Sequence, residues 1–292
     1  MSNPVLYAIT VLIWGSTWLA IKYQLGVVPP ELSVAYRFLL ASLLLFAYCF
    51  WLRLPLRFTA RQHAFIALQG LLLFSVNYIV VYFAELYIPS GMVAVIFSTI
   101  IILNVFFGAL FLRTPVRLPI LLGALVGILG LAVIFWPELA GFDLQQGAAL
   151  GLVLAVGSSV SASLGNIVSA RNQRAHIPVI QTNAYGMLYG SLLTFAIAFV
   201  RDVPLVFDTS QEYVLSILYL ALFGSVVAFG AYLTLLGRIG ADRAAYITVL
   251  FPVIALLLSA RFEGLRLNGW QFAGVGLVLL GNLLVLERRR KT

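Results

Sequence analysis

The third apolar run of this 292-residue sequence carries Ser75, Tyr78, Tyr82 and Glu85, at spacings of three, four and three. On a helix those intervals put all four on one face. Tyrosine rings along a face present an apolar wall to a solute, and their hydroxyls add hydrogen bonds. The same face also suits a seam at which hydroxyls join neighbouring helices, the plainer reading for Ser75. Glu85 stands near the end of its run and reads as an interfacial group, with Arg37 or Lys22 as its partner.

Trp14 and Trp18 lie one turn apart in the first run, with Thr17 beside them. Trp18 suits the aromatic belt at a membrane interface. Trp14 is about 15 Å along the helix from Pro4 at ~1.5 Å per residue. That is too deep for the belt and points to a cavity wall. The sixth run holds Gly157, Ser161 and Gly165 at spacing four, a small-residue strip for close helix contact, together with Ser158 and Asn166. The last two could hydrogen-bond a carboxylate or an amine. Ser98 and Thr99 in the fourth run and Tyr246 and Thr248 in the ninth occupy comparable depths, so Ser98 and Tyr246 join the candidate wall. Pro252 removes one intrahelical hydrogen bond and is a natural hinge.

No constellation for covalent chemistry accompanies these residues. The aspartates Asp143, Asp202, Asp208 and Asp242 fall in loops or at a helix end, and His63 and His176 flank helices. An intramembrane serine protease would lack its base and an aspartyl protease its pair. The His-Glu-x-x-His metal motif is absent. Neither a cofactor nor a metal is implied. The lone Cys49 rules out an intrachain disulfide and reads as a small core residue.

The elements that carry these residues follow from composition. Apolar residues make up 62% and charged residues 10% of the chain, against roughly 45–50% and 25% in soluble domains. A helix crosses the hydrocarbon core with about 20 apolar residues. Ten runs approach that length: Pro4–Ile21, Leu32–Leu52, Ala64–Tyr87, Gly91–Leu112, Leu118–Trp136, Gly147–Ala170, Val179–Val200, Tyr213–Leu236, Arg243–Ala260 and Trp270–Leu286. They are continuous and lack the alternation of a membrane β-barrel. The expectation is an all-α membrane protein of ten transmembrane helices. The first run lacks a basic flank and a cleavage site and reads as an uncleaved helix.

The net charge of +8 is distributed by loop. Arg53, Arg57 and Arg61, then Arg113 and Arg117, Arg171 and Arg174, Arg238 and Arg243, and finally Arg288, Arg289, Arg290 and Lys291 occupy alternate connections. Positive charge on alternate loops marks the cytoplasmic side. Both termini are therefore expected in the cytoplasm, with the chain in a bacterial-type inner (plasma) membrane. No basic patch with interleaved aromatics lies outside the apolar runs, so a nucleic-acid partner is not expected.

The halves echo each other. Ile88, Ala94, Ile96, Gly123, Leu129 and Gly130 recur 151 positions later as Ile239, Ala245, Ile247, Gly274, Leu280 and Gly281. A unit of five crossings, repeated, enters the second time from the opposite side, which is the inverted-repeat design of transporters. The expected units are residues 1–140 and 141–292. The copies differ where Pro252 answers Ile101 and Glu263 answers Leu112. The gate is therefore expected in the second half and the aromatic wall mainly in the first. GxxxG at Gly123 and Gly127, with Gly274, Gly276 and Gly281, suits close packing within the bundle or a homodimer contact.

The stretches WGSTWLAIK at 14–22, AYRFLLASLL at 35–44 and GRIGADRAAYITVLFPVIALLLSARFEGLRLNGWQFAGVGLVLLG at 237–281 together resemble the EamA-type branch of the drug/metabolite transporter superfamily. Within it they are most like the YddG-type exporters of aromatic and neutral amino acids. The resemblance implies two five-helix halves around a central cavity exposed alternately to each side. Related four-helix multidrug transporters carry a membrane carboxylate about two turns before a lysine. Here that position, counted back from Lys22, is Trp14. An indole in place of the carboxylate disfavours organic cations and a side-chain proton relay.

The expected function is export of small neutral or zwitterionic metabolites, aromatic or hydrophobic amino acids foremost, down a gradient. The candidate substrate wall is Trp14, Thr17, Tyr78, Tyr82, Ser98, Ser158 and Tyr246, and Pro252 is the hinge. An exporter of multiple drugs or other apolar metabolites is the alternative, and a channel is disfavoured because nothing resembles a selectivity filter.

Overall fold

The computed structural model describes the chain apart from residues 25, 89, 137–139, 141–146, 263–267 and 287–292, and apart from the side chains of Trp18, Leu19, Lys22, Ser90, Gly91, Ser259, Ala260 and Phe262. Glu263, Asp143, Arg266, the basic C-terminal residues, the boundary after residue 140 and the Trp18 and Lys22 side chains therefore lie outside the described residues.

The described residues form helices and no strand. In chain order these are α1 (Asn3–Lys22), α2 (Pro30–Trp51), α3 (Ala60–Glu85), α4 (Met92–Leu112), α5 (Leu118–Ile134), α6 (Ala148–Arg174), α7 (Val179–Val200), α8 (Gln211–Ile239), α9 (Ala241–Leu258, running on to Phe262) and α10 (Gly269–Leu286). Helices α2, α3, α4, α6, α7, α8 and α9 are long and apolar enough to cross a bilayer, while α5 and α10 are shorter apolar helices. Large apolar side chains such as Leu43, Phe50, Phe106, Leu125, Val153 and Phe199 are exposed around the bundle. Serine, threonine and asparagine side chains, Ser42, Ser75, Asn104, Ser163 and Thr194 among them, are buried inside it. A bilayer rewards that distribution, because lipid takes the apolar surface and the interior satisfies the polar groups.

Two helices outrun their apolar segments. Helix α3 starts four residues early because Thr59 and Gln62 form a reciprocal cap, the Gln62 backbone N–H donating to Thr59 Oγ1 and the Thr59 N–H to Gln62 Oε1. Helix α6 continues to Arg174, where the guanidinium donates to the Leu112 carbonyl at 2.8 Å and Arg171 lies over the Phe65 ring at 3.5 Å. Apolar patterning does not register polar turns held in this way.

Helix α2 packs along α7 and α5 along α10, while α1 lies against α8 and α9, and α6 against α3 and α4. The α2–α7 contact is reciprocal: Ser42 Oγ donates to the Ala184 carbonyl at 2.8 Å and Ser191 Oγ to the Ala35 carbonyl at 2.9 Å. At the α5–α10 seam a Cβ on Gly123 would lie 2.8 Å from the Gly281 carbonyl oxygen, and one on Gly130 2.7 Å from that of Gly274. Residues earlier in α5 thus meet residues later in α10, so the two helices run antiparallel. Gly123, Gly127, Gly274 and Gly281 serve the close contact expected of them, whereas a Cβ on Gly276 would meet nothing within 4 Å, so that glycine is not part of the seam.

This seam is sensitive to a single methyl group. A Cβ at Gly281 would stand 2.6 Å from the Gly123 carbonyl oxygen and 2.9 Å from the Gly127 nitrogen, and closer still to the Tyr246 hydroxyl. Gly281→Ala is expected to destabilise the fold by about 1–3 kcal/mol through overpacking against backbone, read as a lower unfolding midpoint in detergent. An unchanged midpoint would show that α5 and α10 separate without cost.

Candidate functional site

A cavity of about 430 Å³ lies between α1, α2, α3, α4, α6, α8 and α9. Its lining is predominantly aromatic and aliphatic: Trp14 and Ile21 from α1, Tyr78, Val81 and Tyr82 from α3, Phe97 and Ile100 from α4, Phe229 and Tyr232 from α8, Phe251 and Leu258 from α9. The polar lining consists of Thr17, Arg37, Asn77, Glu85, Asn166 and Thr248. Concave, apolar sites of this size with a few polar groups suit small organic solutes.

Two helices facing the cavity contain a π-helical stretch, Leu72–Val76 in α3 and Leu220–Val227 in α8. Such widening shifts the hydrogen-bond register and frees backbone groups, a device common at functional sites. In α8 the Gly224 carbonyl accepts from the Trp14 indole N–H at 3.2 Å, and Ser225 Oγ accepts from Arg37 Nε at 2.8 Å. Glycine at 224 leaves room for these groups, since a Cβ there would come within 3.0 Å of Thr17 Cγ2 and 3.1 Å of the Arg37 guanidinium and would press on both. In α3 the corresponding groups join helices to each other: Leu72 O accepts from Ser161 at 2.9 Å, and Ser75 meets Thr194 at 2.8 Å.

The aromatic side chains form one connected wall. The Trp14 ring centroid is 5.0 Å from those of both Phe229 and Tyr232 and 6.3 Å from Phe251. Phe38 bridges Phe229 at 6.4 Å and Tyr78 at 5.0 Å. Edge and tilted geometries dominate, the arrangement preferred by ring quadrupoles. The wall draws on both halves: Trp14, Tyr78, Tyr82 and Phe97 come from the first, where it was mainly expected, and Phe229, Tyr232 and Phe251 from the second. Phe229, Tyr232 and Phe251 sit in apolar runs whose periodicity does not distinguish a lipid face from a cavity face.

Of the seven candidate wall residues, Trp14, Thr17, Tyr78 and Tyr82 line this cavity. The other three stand elsewhere. Tyr246 is fully buried against the α5–α10 seam, its hydroxyl 3.2 Å from the carbonyls of Gly123 and Val278. Ser158 is fully buried and donates to Ala155 O one turn back on its own helix. Ser98 donates to Ala94 O at 2.8 Å and approaches Thr248 O at 3.4 Å. That second contact involves Pro252, which lacks the N–H that would bond Thr248 O within α9. A hydroxyl from α4 thus stands where the proline leaves a carbonyl free, and α9 remains helical through Pro252. Ser98 and Tyr246 stand on helices that line the cavity but are not among its lining residues.

Arg37 and Glu85 line the cavity although neither was among the candidate wall residues. Arg37 is 3% exposed, and its bond is to Ser225 rather than to Glu85. Glu85 faces the cavity with Oε1 buried and without a hydrogen-bond partner. Among the described residues the Glu31–Arg201 pair, 2.6 Å apart, is the salt bridge, and it ties α2 to the end of α7. The available signal was the rarity of charge within apolar runs.

Away from Glu85 and Ile21, side-chain hydrogen bonds join the helices. Ser163 Oγ donates to Asn104 Oδ1 at 2.7 Å and Asn104 Nδ2 to Ala241 O at 2.9 Å, linking α6, α4 and α9. Gln173 Nε2 adds a bond to Leu233 O at 2.9 Å. Beyond them lies a second cavity of about 440 Å³, lined by Thr114, Gln173, Arg174, Arg238 and Asp242 among others.

The EamA-like transporter family matches the chain twice, over residues 3–136 and 149–287. The chain belongs to this family. The chain is similar to the uncharacterized inner membrane transporter YedA of Escherichia coli, 29% identical over 278 residues covering 94% of this chain and 87% of the relative. Protein PagO of Salmonella typhimurium is 24% identical, covering 99% and 94%. An uncharacterized transporter of Archaeoglobus fulgidus is 27% identical, covering 99% and 100%. One solved crystal structure shares the fold with a TM-score of 0.83 at 20% identity, covering 100% of this chain and 99% of the other. The protein is thus a multi-pass membrane transporter. EamA-like membership and the enclosed aromatic cavity agree on that role.

Proposed function

We propose that the protein exports small neutral or zwitterionic metabolites, aromatic and hydrophobic amino acids foremost, by alternating access across the inner (plasma) membrane. The observation that carries this reading is the aromatic cavity of about 430 Å³ enclosed by helices from both ends of the chain. Its rings suit the side chain of such a solute. Its polar complement suits the charged ends: Arg37 offers donors, while Asn77 Oδ1, Asn166 Oδ1 and Glu85 Oε1 are buried acceptors without a partner. A buried polar group left unpaired costs about 1–3 kcal/mol, which a complementary ligand relieves.

The architecture proposed is ten crossings in two inverted five-helix repeats, residues 1–140 and 141–292, with both termini cytoplasmic. Three observations support it: the two family matches, the antiparallel glycine contacts of α5 and α10, and the exchanged serine bonds of α2 and α7. Ser42 and Ser191 stand 149 residues apart, as do their acceptors Ala35 and Ala184. A two-fold axis in the membrane plane would produce that exchange, and in such a design the substrate binds at the interface of the halves. Pro252 is the proposed hinge.

The test is counterflow in liposomes with a panel of labelled amino acids and one lipophilic cation. Trans-stimulated uptake of phenylalanine or another apolar amino acid is expected, and only a carrier shows it. Uptake of the cation and of no amino acid would overturn the reading in favour of a multidrug exporter.

A further inference from the structure

We infer that Arg37 is the anchor for a substrate carboxylate, so that the cavity selects solutes bearing a carboxylate on an apolar body. This deepens the reading of the same cavity given above and rests on it.

The inference starts from an imbalance. A guanidinium carries five N–H donors and keeps its charge at any accessible pH. Arg37 is 3% exposed in the membrane-embedded part of the bundle, and such a charge is expensive unless paired. The one hydrogen bond it makes among the described residues spends Nε on a neutral partner, Ser225 Oγ at 2.8 Å. Its Cζ lies 5.2 Å from the ring centroids of both Phe38 and Tyr78. The rings stabilise the cation and hold the plane of the group. Left over are the two terminal nitrogens, the part of the fork that binds a carboxylate through two parallel bonds.

The surroundings hold that fork in place. Ser225 and Gly224 belong to the π-helical stretch of α8; the first accepts from Nε, and the second lacks the Cβ that would crowd the guanidinium. Gly224 also accepts from the Trp14 indole, so one segment positions both the charged donor and the aromatic wall. A ligand carboxylate on Arg37 would leave its apolar body beside Tyr78 and Trp14, which line the same cavity. The acceptors Asn77 Oδ1 and Glu85 Oε1 lie on α3, the helix that bears Tyr78. An α-ammonium fits such acceptors, and a simple organic cation would meet Arg37 as a like charge. At the second π-helical stretch, in α3, the buried Ser75 meets the neutral Thr194 rather than a charged group.

The experiment measures competition against labelled phenylalanine counterflow in proteoliposomes, together with ligand-induced shifts of the unfolding midpoint in detergent. With the wild-type protein, phenylalanine is expected to compete at least tenfold better than phenylalaninamide, which differs by loss of the carboxylate. Arg37→Gln is expected to weaken phenylalanine at least tenfold and to erase its preference over the amide. Arg37→Lys, which keeps the charge and loses the fork, is expected to fall between. Phenylalanine counterflow with equal competition by the amide would overturn the inference and leave the transport reading standing. So would an Arg37→Gln protein, monodisperse and folded, that holds phenylalanine as wild type does. Should Arg37→Gln fail to fold, the wild-type competition decides alone. A wild-type protein that carries the lipophilic cation and responds to neither amino acid nor 3-phenylpropionate overturns both readings.

Discussion

Replacing Trp14 by alanine is expected to lower phenylalanine counterflow by roughly tenfold to a hundredfold while the protein remains folded. The indole lines the cavity, packs at 5.0 Å against Phe229 and Tyr232, and donates to Gly224 O at 3.2 Å. Removing an aromatic side chain of this size withdraws about 1.5–3 kcal/mol of apolar contact. At about 1.4 kcal/mol per tenfold change in affinity, the loss follows. Trp14→Phe keeps most of the surface and gives up one hydrogen bond worth about 1 kcal/mol, so its defect should be several-fold. Initial rates at subsaturating substrate, normalised to monodisperse protein, provide the comparison. Wild-type rates in Trp14→Ala would remove this side chain from the substrate path.

Pro252→Ala is expected to act in opposite directions on stability and on transport. A proline inside a helix costs about 3 kcal/mol, in part because the carbonyl four residues back loses its donor. In α9 that carbonyl is Thr248 O, now approached by Ser98 Oγ at 3.4 Å from α4. An alanine N–H would restore the internal bond and stiffen α9, whose Thr248, Phe251 and Leu258 face the cavity. The unfolding midpoint in detergent should rise, and the counterflow rate should fall several-fold because the segment bends less readily. A variant that unfolds later and transports at the wild-type rate would show that Pro252 is no hinge.

The outcome for individual side chains shows how far patterning reaches. Tyr78 and Tyr82 were legible because two tyrosines four residues apart on a single helix share a face whatever surrounds that helix. Trp14 was legible because depth along the membrane normal is a matter of counting residues at a fixed rise. Tyr246 was not, since a helical count does not give the direction of a side chain: the hydroxyl enters the glycine seam of α5 and α10. Ser158 was misplaced for a related reason, as a serine hydroxyl can bond its own helix one turn back and need not face a solute. Of the two partners expected for Glu85, Arg37 and Lys22, the Lys22 side chain lies outside the described residues and the Arg37 guanidinium reaches across to Ser225 on α8. That bond depends on a π-helical stretch with no distinctive residue pattern.

The amino-acid order by itself determined the membrane environment, the helical class, the approximate extent of the runs and the faces on which tyrosine and glycine recur. These properties are local, since hydrophobic length, rise per residue and angular spacing are set within one helix. The tertiary structure alone decided which faces look at the cavity, which serines spend their hydroxyls on backbone, and that Arg37 and Glu85 stand among aromatic rings. The direction of a face depends on the rotation and crossing of several helices at once. Those angles come from the packing of small residues such as Gly123, Gly224 and Gly281 against distant backbone, contacts formed by segments far apart in the chain.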